Sequence, residues 1–213
     1  MIVVELTGGL GNQMFEYAIG RRLSLLGQSD LRLYTAGFAA DPLREYSLSC
    51  FNIVECFAEE KDVRNLKYGV SGDVPYAMCD FVSRVMRRLG GVNPFQCSTY
   101  IIEKGASFCP EVLEVGSDAF ISGYWQTEKY FHSIRETLLH DFSFKELPDD
   151  VSNRLLDKIR SVNSVSVHVR RGDFVSDPKS RGLHHCCDEK YYERAFQAIV
   201  EQVEDPHFFV FSD

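Results

Sequence analysis

A chain of 213 residues, 45% apolar and 25% charged, has material for one large domain or two small ones with real cores, in the composition of an ordinary soluble protein. Its 31 acidic against 23 basic residues leave a net charge of -8, which argues against a general nucleic-acid binder, since such binders neutralise many phosphates. Any anionic ligand must therefore meet a local cluster of cations.

The seven cysteines are odd in number and lack CxxC spacing, which fits a reduced, cytoplasmic setting. No run of about eighteen apolar residues is present to span a membrane. MIVVELTGG carries neither a basic leader nor a long apolar stretch, so no signal peptide is expected there.

In chain order, IVVEL (2–6) reads as a short buried strand broken by Thr7, Gly8 and Gly9. Asn12 is the expected cap of a helix reaching Leu26, with Met14, Phe15, Ala18, Ile19, Leu23 and Leu26 on one apolar face. LRLY (31–34) completes strand, glycine loop, helix, strand, an order that implies a parallel sheet with helices packed on it. REYSLSCFNI (44–53) reads as extended. DFVSRVMRRL (80–89) is amphipathic, with Arg84, Arg87 and Arg88 together; the favoured reading packs its apolar stripe on the core, and contact with an anionic membrane surface is the alternative. AFISGYW (119–125) suggests a strand, and TEKYFHSIRETLLHDF (127–142) a helix with Tyr130, Phe131, Ile134, Leu138 and Leu139 inward.

LPDD (147–150) breaks the pattern and marks a domain boundary, dividing 1–147 from 148–213. VSNRLLDKIRS is a short helix, followed by the strand of SVSVHVRRGDFV (164–175), a polar loop (176–188), a helix over about 189–204 and a strand HFFVFSD. A strand followed by Ser-Asp is how a helix begins, so the second domain is expected to continue beyond Asp213.

Two stretches carry chemistry. In LTGGLGNQMF (6–15), glycines between strand and helix let a ligand approach the backbone, and the helix N-terminus offers free N–H groups to an anion. Met14 stands where a dinucleotide fingerprint wants glycine, and no Walker lysine is present after it, so a plain tight turn competes with a phosphate loop. In SVSVHVRRGDFV, alternation puts Val165, Val167 and Val169 on one face and Ser166, His168 and Arg170 on the other. If the strand persists to its end, the two arginines point apart, Arg170 toward a ligand beyond the strand's carboxyl end and Arg171 bracing the loop. A solvated strand end is the competing reading, and the favoured one for an isolated pair. A guanidinium fork suits a diphosphate and stays charged at any working pH. Gly172 relieves the turn, and Asp173 orients an arginine or caps the next segment. HHCCDE (184–189) has zinc-ligand types, but four consecutive side chains do not easily close a tetrahedron, and a loop without metal is favoured.

LTGGLGNQMFEYAIGRRLS, REYSLSCFNI, GYWQTEKYF, HVRRGDFV and FFVFSD occur in the order found in glycosyltransferase family eleven, and the chain resembles that family's alpha-1,2-fucosyltransferases over nearly its whole length. The resemblance implies an α/β GT-B-like fold, two Rossmann-like domains with parallel sheets facing a cleft. Residues 1–147 would be the acceptor side, and 148–213 the first part of the GDP-fucose-binding domain. It implies inverting transfer of L-fucose from GDP-beta-L-fucose to the 2-hydroxyl of a terminal galactoside, with no metal or other cofactor. Carried over through HxRRxD, Arg170 and then Arg171 neutralise the departing diphosphate. His168 and Asp173 support the nucleotide or hold the arginines, while Gly9, Gly11, Asn12 and Gln13 are carried over as donor-binding residues facing the same cleft from the first domain, with Asn12 near the phosphate or acceptor. Removing one such fixed charge typically costs about 3 kcal/mol of barrier. The base stays unassigned, with Asp173 and Glu16 the nearby carboxylates. The implied partners are GDP-fucose and a galactose-terminated glycan, in the cytoplasm or peripherally at the inner membrane face. The competing readings are the same donor with another acceptor or linkage, and a nucleotide- or glycan-binding protein without catalysis.

Overall fold

The computed structural model describes residues 1–70, 72, 74–89, 97–105, 107–146, 149–176 and 186–212. The chain divides into two compact units, Met1–Glu146 and Leu147–Asp213.

The first unit is built on a four-stranded parallel sheet in the order β2-β1-β4-β3, where β1 is Ile2–Glu5, β2 Leu31–Tyr34, β3 Tyr100–Ile102 and β4 Ala119–Ser122. Strand β1 pairs Ile2 with both Leu31 and Ala119, and β4 pairs Phe120 with Tyr100. Ile2, Val3 and Val4 are all fully buried, because apolar layers cover both faces of the strand. On one face, Ile2, Val4 and Ile121 meet Tyr17, Ile19 and Leu23 of helix α1 (Leu10–Leu26). On the other, Val3 and Phe120 meet Val63 and Leu66 of α2 (Glu60–Tyr68). This layering is Rossmann-like.

Several expectations are corrected here. Helix α1 starts at Leu10, with Gly9 in extended geometry as its cap and no side-chain cap bond, so Asn12 lies inside the first turn. Gly8, at φ +66°, makes the turn that lets the helix begin this early. Residues 44–53 form no strand. A 3₁₀ turn, Leu48–Cys50, interrupts them, and Leu48, Phe51 and Ile53 are sunk one by one into the core. The predicted helix over 127–142 is two 3₁₀ turns, Glu128–Tyr130 and His132–Ile134, followed by α4, Arg135–Asp141. That break in helical phase leaves Leu139 exposed while Tyr130 and Leu138 are buried. Helix α3 spans Tyr76–Arg88. Its buried positions are Cys79 and Ser83, and Val82, Val85 and Met86 are half-buried, whereas Met78, Phe81 and Leu89 face solvent, so only part of the expected apolar stripe is sheltered.

The second unit holds a two-stranded parallel sheet of β5 (Asn163–Val169) and β6 (Pro206–Ser212), with α5 (Asp150–Arg160), α6 (Gly172–Ser176) and α7 (Glu189–Val200). Asp149 and Asp188 cap α5 and α7 by accepting from Ser152 N and Tyr191 N. The alternation in β5 is realised: Val165, Val167 and Val169 are sheltered, while Ser164, Ser166 and His168 are exposed. The expected helix over 189–204 ends at Val200.

Candidate functional site

The site residues named from the sequence fall into two groups, one at the carboxyl edge of each sheet. In the first unit, β1 ends at Glu5 and the chain turns through Gly8 into α1. A Cβ on Gly8, on a backbone at φ +66°, would sit 2.5 Å from Asn12 Nδ2, so a side chain there would strain the turn and displace the Asn12 amide. Space beside Gly9 and Gly11 is open, and the first turn of α1 therefore presents bare backbone. Asn12 Oδ1 accepts from Gln126 Nε2 at 2.7 Å, which ties the glycine turn to the GYWQ segment after β4.

Gln13 occupies a different place. It is fully buried; its Nε2 donates to Gly8 O (2.9 Å) and Glu45 O (2.8 Å), and its Oε1 accepts from Ser47 N (2.9 Å). With the amide so committed, Gln13 holds the loop from beneath. Glu16 is also fully buried, accepting from Thr7 N at 2.8 Å and Thr7 Oγ1 at 2.7 Å. Burial pushes its carboxyl up to about 8, against the Thr7 hydrogen bonds and with help from the charges of Glu5 and Glu103. Glu16 is thus a support for the loop, shut away from any acceptor hydroxyl.

Sequence reasoning missed three groups at this edge. Glu5 accepts from Ser122 Oγ at 2.6 Å, joining the ends of β1 and β4. Glu103, just past β3, accepts at Oε2 from Tyr124 N (2.8 Å) and Trp125 N (3.1 Å). That carboxylate braces a turn in which Gly123 has φ +144° and Trp125 φ +54°. Gln126 was visible only as a letter of the family motif, and the three-residue β3 was too short to show a period. A cavity of about 240 Å³ opens here, lined by Glu103, Lys104, Glu111 and Trp125 among others.

In the second unit, β5 stops at Val169, so both arginines lie past the strand. Arg170 is half-buried and Arg171 exposed. The Arg171 carbonyl accepts from Val175 N at 2.7 Å and so opens α6, which places Gly172 and the Asp173 backbone inside that helix. Asp173 therefore does not stand ahead of the helix as a cap. His168 is exposed, and its carbonyl accepts from Tyr192 Oη at 3.2 Å. A cavity of about 210 Å³ separates β5 from α7, lined by His168, Tyr191, Tyr192, Phe196 and Phe208. Burial pushes the Tyr192 phenol up, Cys187 adds to the rise and the Arg171 charge opposes it, so these groups share one electrostatic neighbourhood. What the strand end offers is two permanent cations just past Val169, of which Arg171 is within electrostatic reach of Tyr192 in the lining of the hollow.

Among the described residues, no three His, Cys, Asp or Glu side chains form a set able to hold a metal ion. His184 and His185 of the zinc expectation, and most of the 176–188 loop, lie outside the described residues. No helix among the described residues is long and apolar enough to cross a membrane.

The family model described as "Glycosyl transferase family 11" matches residues 1–213. Among curated proteins, the chain is 34% identical over 218 residues to an alpha-1,2-colitosyltransferase of Escherichia coli, covering 100% of this chain and 69% of that protein. It is 26% identical over 223 residues to the O-antigen biosynthesis glycosyltransferase WbnK of Escherichia coli, covering 98% of this chain and 71% of the other. No solved structure gives a significant match.

Proposed function

From the premise that the chain belongs to glycosyl transferase family 11 and is a glycosyltransferase, we propose that it moves L-fucose from GDP-beta-L-fucose, with inversion, to the 2-hydroxyl of a terminal galactoside. The two units would act as the facing Rossmann-like halves of a GT-B enzyme. The observation that supports this most is the position of Arg170 and Arg171, immediately past the carboxyl end of a parallel strand.

Inverting transfer breaks the anomeric C–O bond to the diphosphate as the acceptor oxygen forms its bond on the opposite face. Positive charge grows on the sugar ring, and negative charge grows on the departing GDP. Guanidinium groups fixed at that oxygen stabilise the transition state more than the ground state, and no metal ion is then required. In this scheme Arg170 meets the leaving diphosphate and Arg171 supports it, with His168 and Asp173 beside them. Gly9, Gly11 and Asn12 bring backbone and one amide to the donor from the first unit, Asn12 near the phosphate or the acceptor, and Gln13, expected there too, instead holds that loop in shape. The acceptor proton passes to a base that stays unassigned.

A second donor is favoured by one observation, the colitosyltransferase name of a relative 34% identical to this chain. Colitose is fucose without the 3-hydroxyl. A site built to hydrogen-bond that hydroxyl rejects the deoxy sugar by about 10⁴-fold or more, whereas an apolar site discriminates weakly. The decisive assay follows sugar transfer to galactosides from GDP-fucose and from GDP-colitose, with the linkage assigned by NMR. Arg170→Ala should lower transfer about 150-fold, the equivalent of about 3 kcal/mol, with the unfolding midpoint unchanged. Wild-type turnover in that variant would overturn the donor-site assignment. Absence of transfer from either donor would overturn the choice of sugar.

A further inference from the structure

Helix α3 leaves part of its apolar side open to solvent. Successive helical residues turn by about 100°, so Met78, Phe81, Val85 and Leu89 form one stripe. Leu89 N donates to Val85 O at 3.0 Å, which continues the helical turn to that residue. Phe81 is 62% exposed, Leu89 75% and Met78 50%. Arg84 and Arg88, one turn apart and both exposed, run along the edge of this stripe. The side turned to the protein carries Cys79 and Ser83. The acid facing Arg84 on this helix is Asp80, which pairs with it at 2.8 Å and also accepts from Tyr68 Oη at 2.9 Å. Arg84 remains 61% exposed even so.

We propose that this face of α3 is a docking surface for an anionic phospholipid bilayer. A convex helix with an aromatic and aliphatic stripe edged by arginines matches the boundary between acyl chains and phosphates. The charge is complementary only locally: the chain as a whole is at -8 and is repelled by an anionic surface, so attraction must come from a patch such as Arg84 and Arg88. The contact would hold the enzyme at a membrane surface whichever sugar it transfers.

Co-sedimentation with vesicles tests this, comparing phosphatidylcholine alone with phosphatidylcholine mixed with phosphatidylglycerol. The protein should partition to the mixed vesicles, less so as salt is raised. Arg88→Glu should lower that partition about tenfold, and Phe81→Asp at least as far, with unfolding midpoints unchanged because both positions are exposed. No partition, equal partition into both vesicle types, or variants that partition like the wild type would each overturn the proposal. So would light scattering that shows a dimer dissolved by Phe81→Asp while vesicles leave the protein in solution, which would assign the face to a second copy of the chain.

Discussion

Replacing Gln13 by alanine separates a residue that braces the glycine turn from one that touches the donor. The amide satisfies three backbone groups, the carbonyls of Gly8 and Glu45 and the N–H of Ser47, in a position with no solvent exposure. A buried backbone group left without its partner costs about 1–3 kcal/mol. The vacated space is polar enough to admit water, so the low end applies to each and the sum is about 3 kcal/mol. For a unit of this size that lowers the melting temperature by about 6–12 °C. Gln13→Glu removes no volume but turns a carboxylate toward the two carbonyls, and it should destabilise at least as much. Calorimetric melts of both variants, set beside KM for the donor in each, decide the matter. A variant that melts like the wild type while its KM rises would place Gln13 on the ligand and refute the brace.

Glu16 predicts a pH dependence. Its carboxyl is raised to about 8 in the folded state from an ordinary value of 4.5, so the folded form holds a proton that the unfolded form releases. Stability is fully present below about pH 4.5 and falls as pH rises to about 8, by at most about 1.4 kcal/mol per pH unit. Urea midpoints should therefore drop across this range, and Glu16→Gln, neutral throughout, should flatten the slope; an unchanged slope would show Glu16 ionised in the fold. At Gly123, a Cβ would lie 2.3 Å from Glu103 Cβ, on a backbone at φ +144°. Gly123→Ala should cost about 3 kcal/mol in a denaturant titration, because it both strains the turn and displaces the carboxylate that holds Tyr124 N and Trp125 N.

Much of this architecture was legible as pattern. IVVE and LRLY are short apolar runs flanked by breakers, and both are strands. The valines of β5 alternate with Ser and His, and their burial alternates likewise. The arginines at that strand's tip were found through the family resemblance of HVRRGD with an upstream GGLGNQ, since an isolated arginine pair after a strand reads first as a solvated strand end. Glu5, Glu103 and Ser122 were not legible, because their importance comes from strands far apart in sequence ending side by side. Ser122 reaches Glu5 across 117 residues of chain.

The sequence by itself determined the opening strand, helix and strand and the later order of α5, β5, α7 and β6, since period and breakers are local properties of the chain. It determined too that positive charge gathers where β5 ends. Only the tertiary structure decided which way a helix turns and which polar groups are buried. Periodicity says that Met78, Phe81 and Val85 share a side of α3, but not that Cys79 and Ser83 take the inner place. It marks Gln13 and Glu16 as polar, but not that both are sealed beneath the glycine turn. Burial depends on what packs against a side chain, and those neighbours arrive from elsewhere in the chain.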